Sequence, residues 1–146
     1  MSLAATNALR VTRISELVLE VRDLVRAVAF YCDVLGLSVI RQSEQRAWLL
    51  AGGGTRIGLW TPELGPGIAN GRGGSHVHFA FHVADADFDE TVARLEAHGL
   101  VAEIHDSRDE SRGRAVYVCD PDGNVVEFSF DQGVAAKVAE AFGPPA

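Results

Sequence analysis

At 146 residues the chain is long enough for one domain with a sizeable core, and 47% apolar against 23% charged residues is the balance of a soluble globular protein. Twenty acidic against thirteen basic residues, a net charge of −7, argue against nucleic acid and anionic membrane surfaces as partners, because neither would be attracted. No apolar run approaches the ~20 residues that span a bilayer and no leader pattern opens the chain, while Cys32 and Cys119 lack metal-type spacing; together these predict reduced thiols and a cytoplasmic location.

Residues 1–13 read as a lead-in, disordered at its start. From Ile14 to Val21 the chain alternates as a strand, with Leu17, Leu19 and Val21 on one face and Glu16, Val18 and Glu20 on the other. Asp23 then caps a helix whose apolar stripe is Leu24, Ala27, Val28, Tyr31 and Leu35, ending at Gly36. Leu37–Arg41, Ala47–Ala51 and Arg56–Trp60 are three further strands. The turn before the last is Gly52-Gly53-Gly54; no helix pattern and no Lys-Ser/Thr follow it, so a hairpin is favoured over a phosphate loop. Residues 61–75, with two prolines and five glycines, form a linker or an active-site loop.

His76–Val83 is again a strand, and Asp85 again caps a helix, with the stripe Phe88, Val92, Leu95 and Leu100 broken at Gly99. Val101–His105 is a short strand and Asp106–Gly113 a charged loop, with Arg108, Arg112 and Arg114 as candidates to receive an anionic substrate, solvated surface arginines being the favoured reading; Ala115–Cys119 enters a hairpin at Asp120-Pro121-Asp122-Gly123. The returning strand puts Val126, Phe128 and Phe130 on one face and Val125, Glu127 and Ser129 on the other. Val134–Phe142 makes a terminal helix, within a C-terminal helix and tail of residues 131–146 that Pro144-Pro145 stops. Glu127 stands out: a carboxylate in a β-branched and aromatic strand needs a partner, either a salt bridge, to Arg56 or Arg114, or a metal.

The chain repeats. A shift of 62 positions carries Val21-Arg22-Asp23 onto Val83-Ala84-Asp85, and a shift of 69 carries Gly54, Ile57 and Leu59 onto Gly123, Val126 and Phe128. Each half, residues 14–60 and 76–130, is therefore strand, helix and three strands, and two such βαβββ modules predict an α+β fold: one curved mixed sheet around a central cavity, helices outside. Under these shifts Glu16 falls on His78 and Glu127 on Gly58, and strand parity points Glu16, His78 and Glu127 to the concave side.

The βαβββ repeat, the stretch from Val21-Arg22-Asp23-Leu24 through Phe30-Tyr31 to Leu35-Gly36-Leu37, and the Asp120–Glu127 hairpin resemble the vicinal oxygen chelate superfamily of glyoxalases, extradiol dioxygenases, fosfomycin-resistance enzymes and bleomycin-binding proteins. The resemblance covers Ile14 to Phe130. It implies metal ligands on the first and last strands of each module, here Glu16, His78 and Glu127, with Gly58 at the fourth position. One imidazole and two carboxylates suit a divalent Mn, Fe, Co, Ni or Zn ion, with Glu127 or Glu16 doubling as a catalytic base. Tyr117, Trp48, Trp60 and His82 are candidates to line the substrate pocket. His76 reads as lining or solvated, Cys119 as buried filler, and His98 and His105 as surface residues.

Two functions follow as expectations. The first is a metal-dependent lyase, isomerase or dioxygenase acting on a small molecule through its vicinal oxygens. The second is a metal-free, antibiotic-sequestering protein of the bleomycin-resistance type. In both the protein is expected to be a homodimer, because two half-sheets have edges to hide.

Overall fold

The computed structural model describes residues 9–11, 13–64, 76–110 and 112–143, so the first eight residues of the expected lead-in and most of the 61–75 linker lie outside the described residues. The first module runs β1 (Glu16–Glu20), α1 (Leu24–Ala29), β2 (Ser38–Gln42), β3 (Arg46–Leu50) and β4 (Arg56–Trp60). The second runs β5 (Phe79–His82), α2 (Phe88–Ala97), β6 (Val101–Asp106), β7 (Gly113–Cys119) and β8 (Val125–Asp131), followed by α3 (Gln132–Phe142). Each module forms a four-stranded mixed sheet, in the orders β1-β4-β3-β2 and β5-β8-β7-β6.

The repeat holds at the level of single rungs. In the first sheet Val18, Gly58, Trp48 and Arg41 lie side by side across β1, β4, β3 and β2. In the second sheet the row is Ala80, Glu127, Tyr117 and Glu103 across β5, β8, β7 and β6. The same shifts of 62 and 69 relate every pair, and each outer strand carries its irregularity at the matching place, between Val39 and Arg41 and between Val101 and Glu103.

Alternation sorts the two faces as expected. The helix-packed face of the first sheet contributes Ala47, Leu49, Ile57 and Leu59, and that of the second Val116, Val118, Val126 and Phe128. These join Val21, Leu24, Ala27, Phe30 and Tyr31 and, from α2, Phe88 and Leu95 in one core.

The two sheets do not join within the chain: β1 and β5 each end their sheet, with one partner apiece among the described residues. The modules meet instead through their helices and turns. The backbone N–H of Arg22 donates to Asp122 Oδ1 at 2.9 Å, and Arg26 Nη2 donates to the Pro121 carbonyl at 2.6 Å. From the other side Arg94 Nε donates to the Val34 carbonyl at 3.1 Å. Tyr31, fully buried, donates its hydroxyl to Asp120 Oδ2 at 2.8 Å. Asp120 also accepts from the backbone N–H groups of Asp122 and Asn124 and from the Asn124 amide, so the Asp-Pro-Asp-Gly turn is closed by one buried carboxylate that α1 then clamps. Burial, and then the Asp120 carboxylate, push the Tyr31 phenol far above its ordinary range.

Two local expectations change. α1 is short, its stripe continuing through a widened turn of π geometry, Phe30–Val34, that carries Tyr31 into the core. Asp85 does not cap α2. It sits in a 3₁₀ turn, Asp85–Asp87, and its carboxylate takes Arg114 Nη2 at 2.9 Å, a charge-assisted bond stronger than a cap. Arg114 is not a solvated loop residue: β7 begins at Gly113, and strand parity with Val116 and Val118 turns Arg114 inward. There its guanidinium bonds Asp89 at 2.6 Å and lies 4.5 Å over the Phe88 ring.

Candidate functional site

On the open face of the second sheet His78 and Glu127 come together. His78 lies just ahead of β5, and its Nε2 is 3.1 Å from Glu127 Oε2. Its other nitrogen, Nδ1, is 2.7 Å from the His76 carbonyl oxygen and so must carry the proton of that bond. In the neutral ring Nε2 is then an acceptor facing a second acceptor. Only a proton or a cation between them makes the contact favourable. A carbonyl holding Nδ1–H is also the outer support that metal-ligating histidines use, and imidazole with carboxylate suits a borderline divalent ion, so the pair fits a metal. Neither Arg56 nor Arg114 partners Glu127; Arg56 is on Glu16 and Arg114 on Asp85 and Asp89.

Tyr117 stands between two imidazoles, its ring centroid 5.7 Å from His78 and 5.8 Å from His105. Partial burial, then the Glu127 carboxylate and more weakly Glu103, raise its phenol above the usual range, so it is a hydrogen-bond donor at neutral pH. On the next rung Ala115 and Ser129 form a small-residue floor, with His105 and His82 at its sides. His82 packs against Phe130 at 6.1 Å, and His105 Nε2 lies 2.6 Å from Glu103 Oε1.

The open face of the first sheet holds Glu16, but apart from the other two. Glu16 Oε1 accepts from Trp48 Nε1 at 2.7 Å and lies 3.3 Å from Arg56 Nε. No group of three His, Cys, Asp or Glu side chains gathers among the described residues. Trp48 and Trp60 meet edge to face at 6.3 Å, with Arg46 over both rings. Gly58, the fourth position of the repeat, is bare because a Cβ there would meet Trp60 Nε1 at 2.9 Å and Val18 Cγ2 at 3.1 Å.

Two residues on these faces were not singled out from the sequence, Glu103 and Arg46, while His105, read as a surface residue, is exposed and lies against Tyr117. The shift that carries Arg41 onto Glu103 was the available signal for the first. Cys119 is exposed on the open face beside Val125 rather than buried filler, because it shares parity with Tyr117.

Two mixed four-stranded sheets with matching rungs, and a histidine–carboxylate pair on the open face of one, define a glyoxalase-type fold. The sequence model of the Glyoxalase/Bleomycin resistance protein/Dioxygenase superfamily matches residues 13–128, and the chain belongs to that family. It is 29% identical over 123 residues to a catechol-2,3-dioxygenase of Bacillus subtilis, a match covering 83% of this chain but 42% of that protein, so the chain spans less than half of that relative's length. It is 29% identical over 129 residues to the glutathione transferase FosA of Serratia marcescens, covering 86% and 85% of the two chains. Among solved structures, a lactoylglutathione lyase from Agrobacterium tumefaciens superposes with a TM-score of 0.65 at 31% identity, covering 81% of this chain and 92% of that one. No helix among the described residues is long and apolar enough to cross a membrane.

Proposed function

We propose that the chain is a metal-dependent enzyme acting on a small molecule with two neighbouring oxygens, its divalent ion held by His78 and Glu127 of one copy and Glu16 of a second. The observation that carries this reading is His78 Nε2 facing Glu127 Oε2 at 3.1 Å while Nδ1 is held by a backbone carbonyl. A divalent ion there supplies Lewis-acid stabilisation of negative charge on a substrate oxygen.

The chain's own residues supply the rest. Tyr117, kept protonated, donates a hydrogen bond across the site, and the Ala115–Ser129 floor leaves room for the substrate. Of the two carboxylates Glu16 is the better placed as the base, its side chain 29% exposed against 14% for Glu127. Trp48 orients it through the indole N–H.

The second copy enters because β1 and β5 are both edge strands of their sheets, without a further partner among the described residues. Glu16 and His78 are equivalent positions of the repeat, so joining β1 of one copy to β5 of another about the repeat's twofold brings them together and covers both open faces. The names of the three relatives span dioxygenase, transferase and lyase chemistry, and the reaction proposed here is one of the oxygen-chelating kinds rather than any one of them.

A mixed-dimer experiment tests the arrangement. Glu16→Gln and Glu127→Gln chains each bind Mn²⁺ weakly alone. In a mixed dimer one of the two sites has both native carboxylates if they come from different chains, so unfolding and refolding the variants together restores tight binding to about half the mixed dimers' sites. No restoration means that Glu16 does not cross between copies.

A second reading, metal-free sequestration of an antibiotic, is favoured by one observation: Glu16 is already satisfied by Trp48 and Arg56, beside an aromatic wall of Trp48 and Trp60. Absence of any affinity for Mn²⁺, Ni²⁺ or Zn²⁺ decides for it.

A further inference from the structure

We propose that Arg46, stacked on Trp48 and Trp60, receives the anionic end of the substrate, a carboxylate or phosphoryl group. The inference rests on reading the two open faces as the substrate's walls, and it does not depend on the metal.

The arginines of this chain are mostly spoken for. Arg56 faces Glu16 at 3.3 Å, Arg108 faces Asp106 at 2.6 Å, Arg112 pairs with Glu110, and Arg114 holds Asp85 and Asp89. Arg46 has no carboxylate within ion-pair distance among the described residues, although it is half-buried. Its guanidinium lies 4.7 Å from the centroid of Trp48 and 5.5 Å from that of Trp60.

The two indole rings, 83° apart, restrict where the guanidinium can lie and remove part of its water. That arrangement lowers the ordering cost of a two-pronged oxyanion contact and strengthens the attraction. The one acid on the same rung, Glu20, is separated from Arg46 by Trp60, to which both are cross-strand neighbours. Arg41 adds a second cation, 5.8 Å from the Trp48 ring.

A further donor lies on the same face. Trp60 Nε1 is buried over Gly58 with no acceptor among the described residues. The fold does not demand Arg46: the matching position of the second module is Ala115. In a chain of net charge −7, an unpaired, stacked arginine facing the same side as Glu16 reads as a receptor for negative charge.

The test uses the two tryptophans, the only ones in the chain and both in the stack, as the reporter. Metal-free protein, passed over a chelating resin, is titrated with inorganic phosphate and separately with acetate at constant ionic strength, following intrinsic emission. The expected result is a saturable change with at least one of the two anions. Arg46→Gln weakens it by about tenfold or more, the scale of a charge-assisted pair, and Arg112→Gln leaves it unchanged. Arg46→Lys, which keeps the charge and guards against a folding defect in the first variant, weakens it by about threefold or more through loss of the planar fork. No saturable change in the wild type, or equal affinity in both Arg46 variants, overturns the proposal. Metal affinity, measured separately, decides the metal reading: anion binding without metal binding removes that reading and leaves this one standing.

Discussion

Trp60 covers Gly58: the indole nitrogen lies 2.9 Å from where a Cβ on Gly58 would stand, and the neighbouring Val18 Cγ2 lies 3.1 Å from it. The position that carries Glu127 in the second module is therefore closed by an aromatic ring in the first, and the two open faces differ: one carries the His78–Glu127 pair, the other sets Glu16 among Trp48, Trp60 and Arg46.

Gly58→Ala should accordingly destabilise the protein by about 1–3 kcal/mol, the range for overpacking a filled site. It should also shift the tryptophan emission, because the indole has to move. Urea denaturation followed by fluorescence reads both; a stability equal to wild type would show that the ring gives way freely.

Tyr31 sets the response to alkali. Its folded pKa is raised by burial and by Asp120, whereas in the unfolded chain it ionises near 10. Above about pH 10 the unfolded state releases a proton that the folded state keeps, so this stabilisation is present below that pH and is lost as pH rises, by up to about 1.4 kcal/mol per unit. Tyr31→Phe should cost about 1–3 kcal/mol at pH 7, since Asp120 loses a buried donor. It should also flatten most of the alkaline slope, with denaturation midpoints between pH 8 and 11 as the measurement.

Much of this was legible beforehand because alternation and repetition are local. Glu16, His78 and Glu127 fall on the open faces as strand parity requires, and the shifts of 62 and 69 predict rungs that the hydrogen-bonded registers reproduce. Whether β1 and β5 join within a chain was not legible, since an edge pairing leaves no mark on either strand's own pattern. Asp85 followed the pattern of a helix cap, yet a buried guanidinium from β7, far along the chain, outcompeted the backbone N–H groups for its carboxylate. His105 is exposed as read, but its approach to Tyr117 was not legible, because the irregularity between Val101 and Glu103 resets the parity of β6. The Arg46 stack depends on the cross-strand register of β3 and β4, which composition does not encode.

The dimer has its own consequence. Sedimentation at micromolar concentration should give about twice the 15.6 kDa chain mass. Val18, 40% exposed on β1 and on the rung of Gly58, lies at the proposed junction. Val18→Glu adds a carboxylate where Glu16 and Glu127 are to converge and should weaken association by about tenfold or more. A monomeric wild type contradicts the shared site.

Whether His78 and Glu127 hold a metal, as proposed, is read by equilibrium binding of Mn²⁺ to protein freed of metal. One ion should bind per chain, with affinity reduced by about tenfold or more in Glu127→Gln and in His78→Gln while both variants remain folded. Binding that is absent from the wild type, or unchanged in both variants, would contradict that proposal.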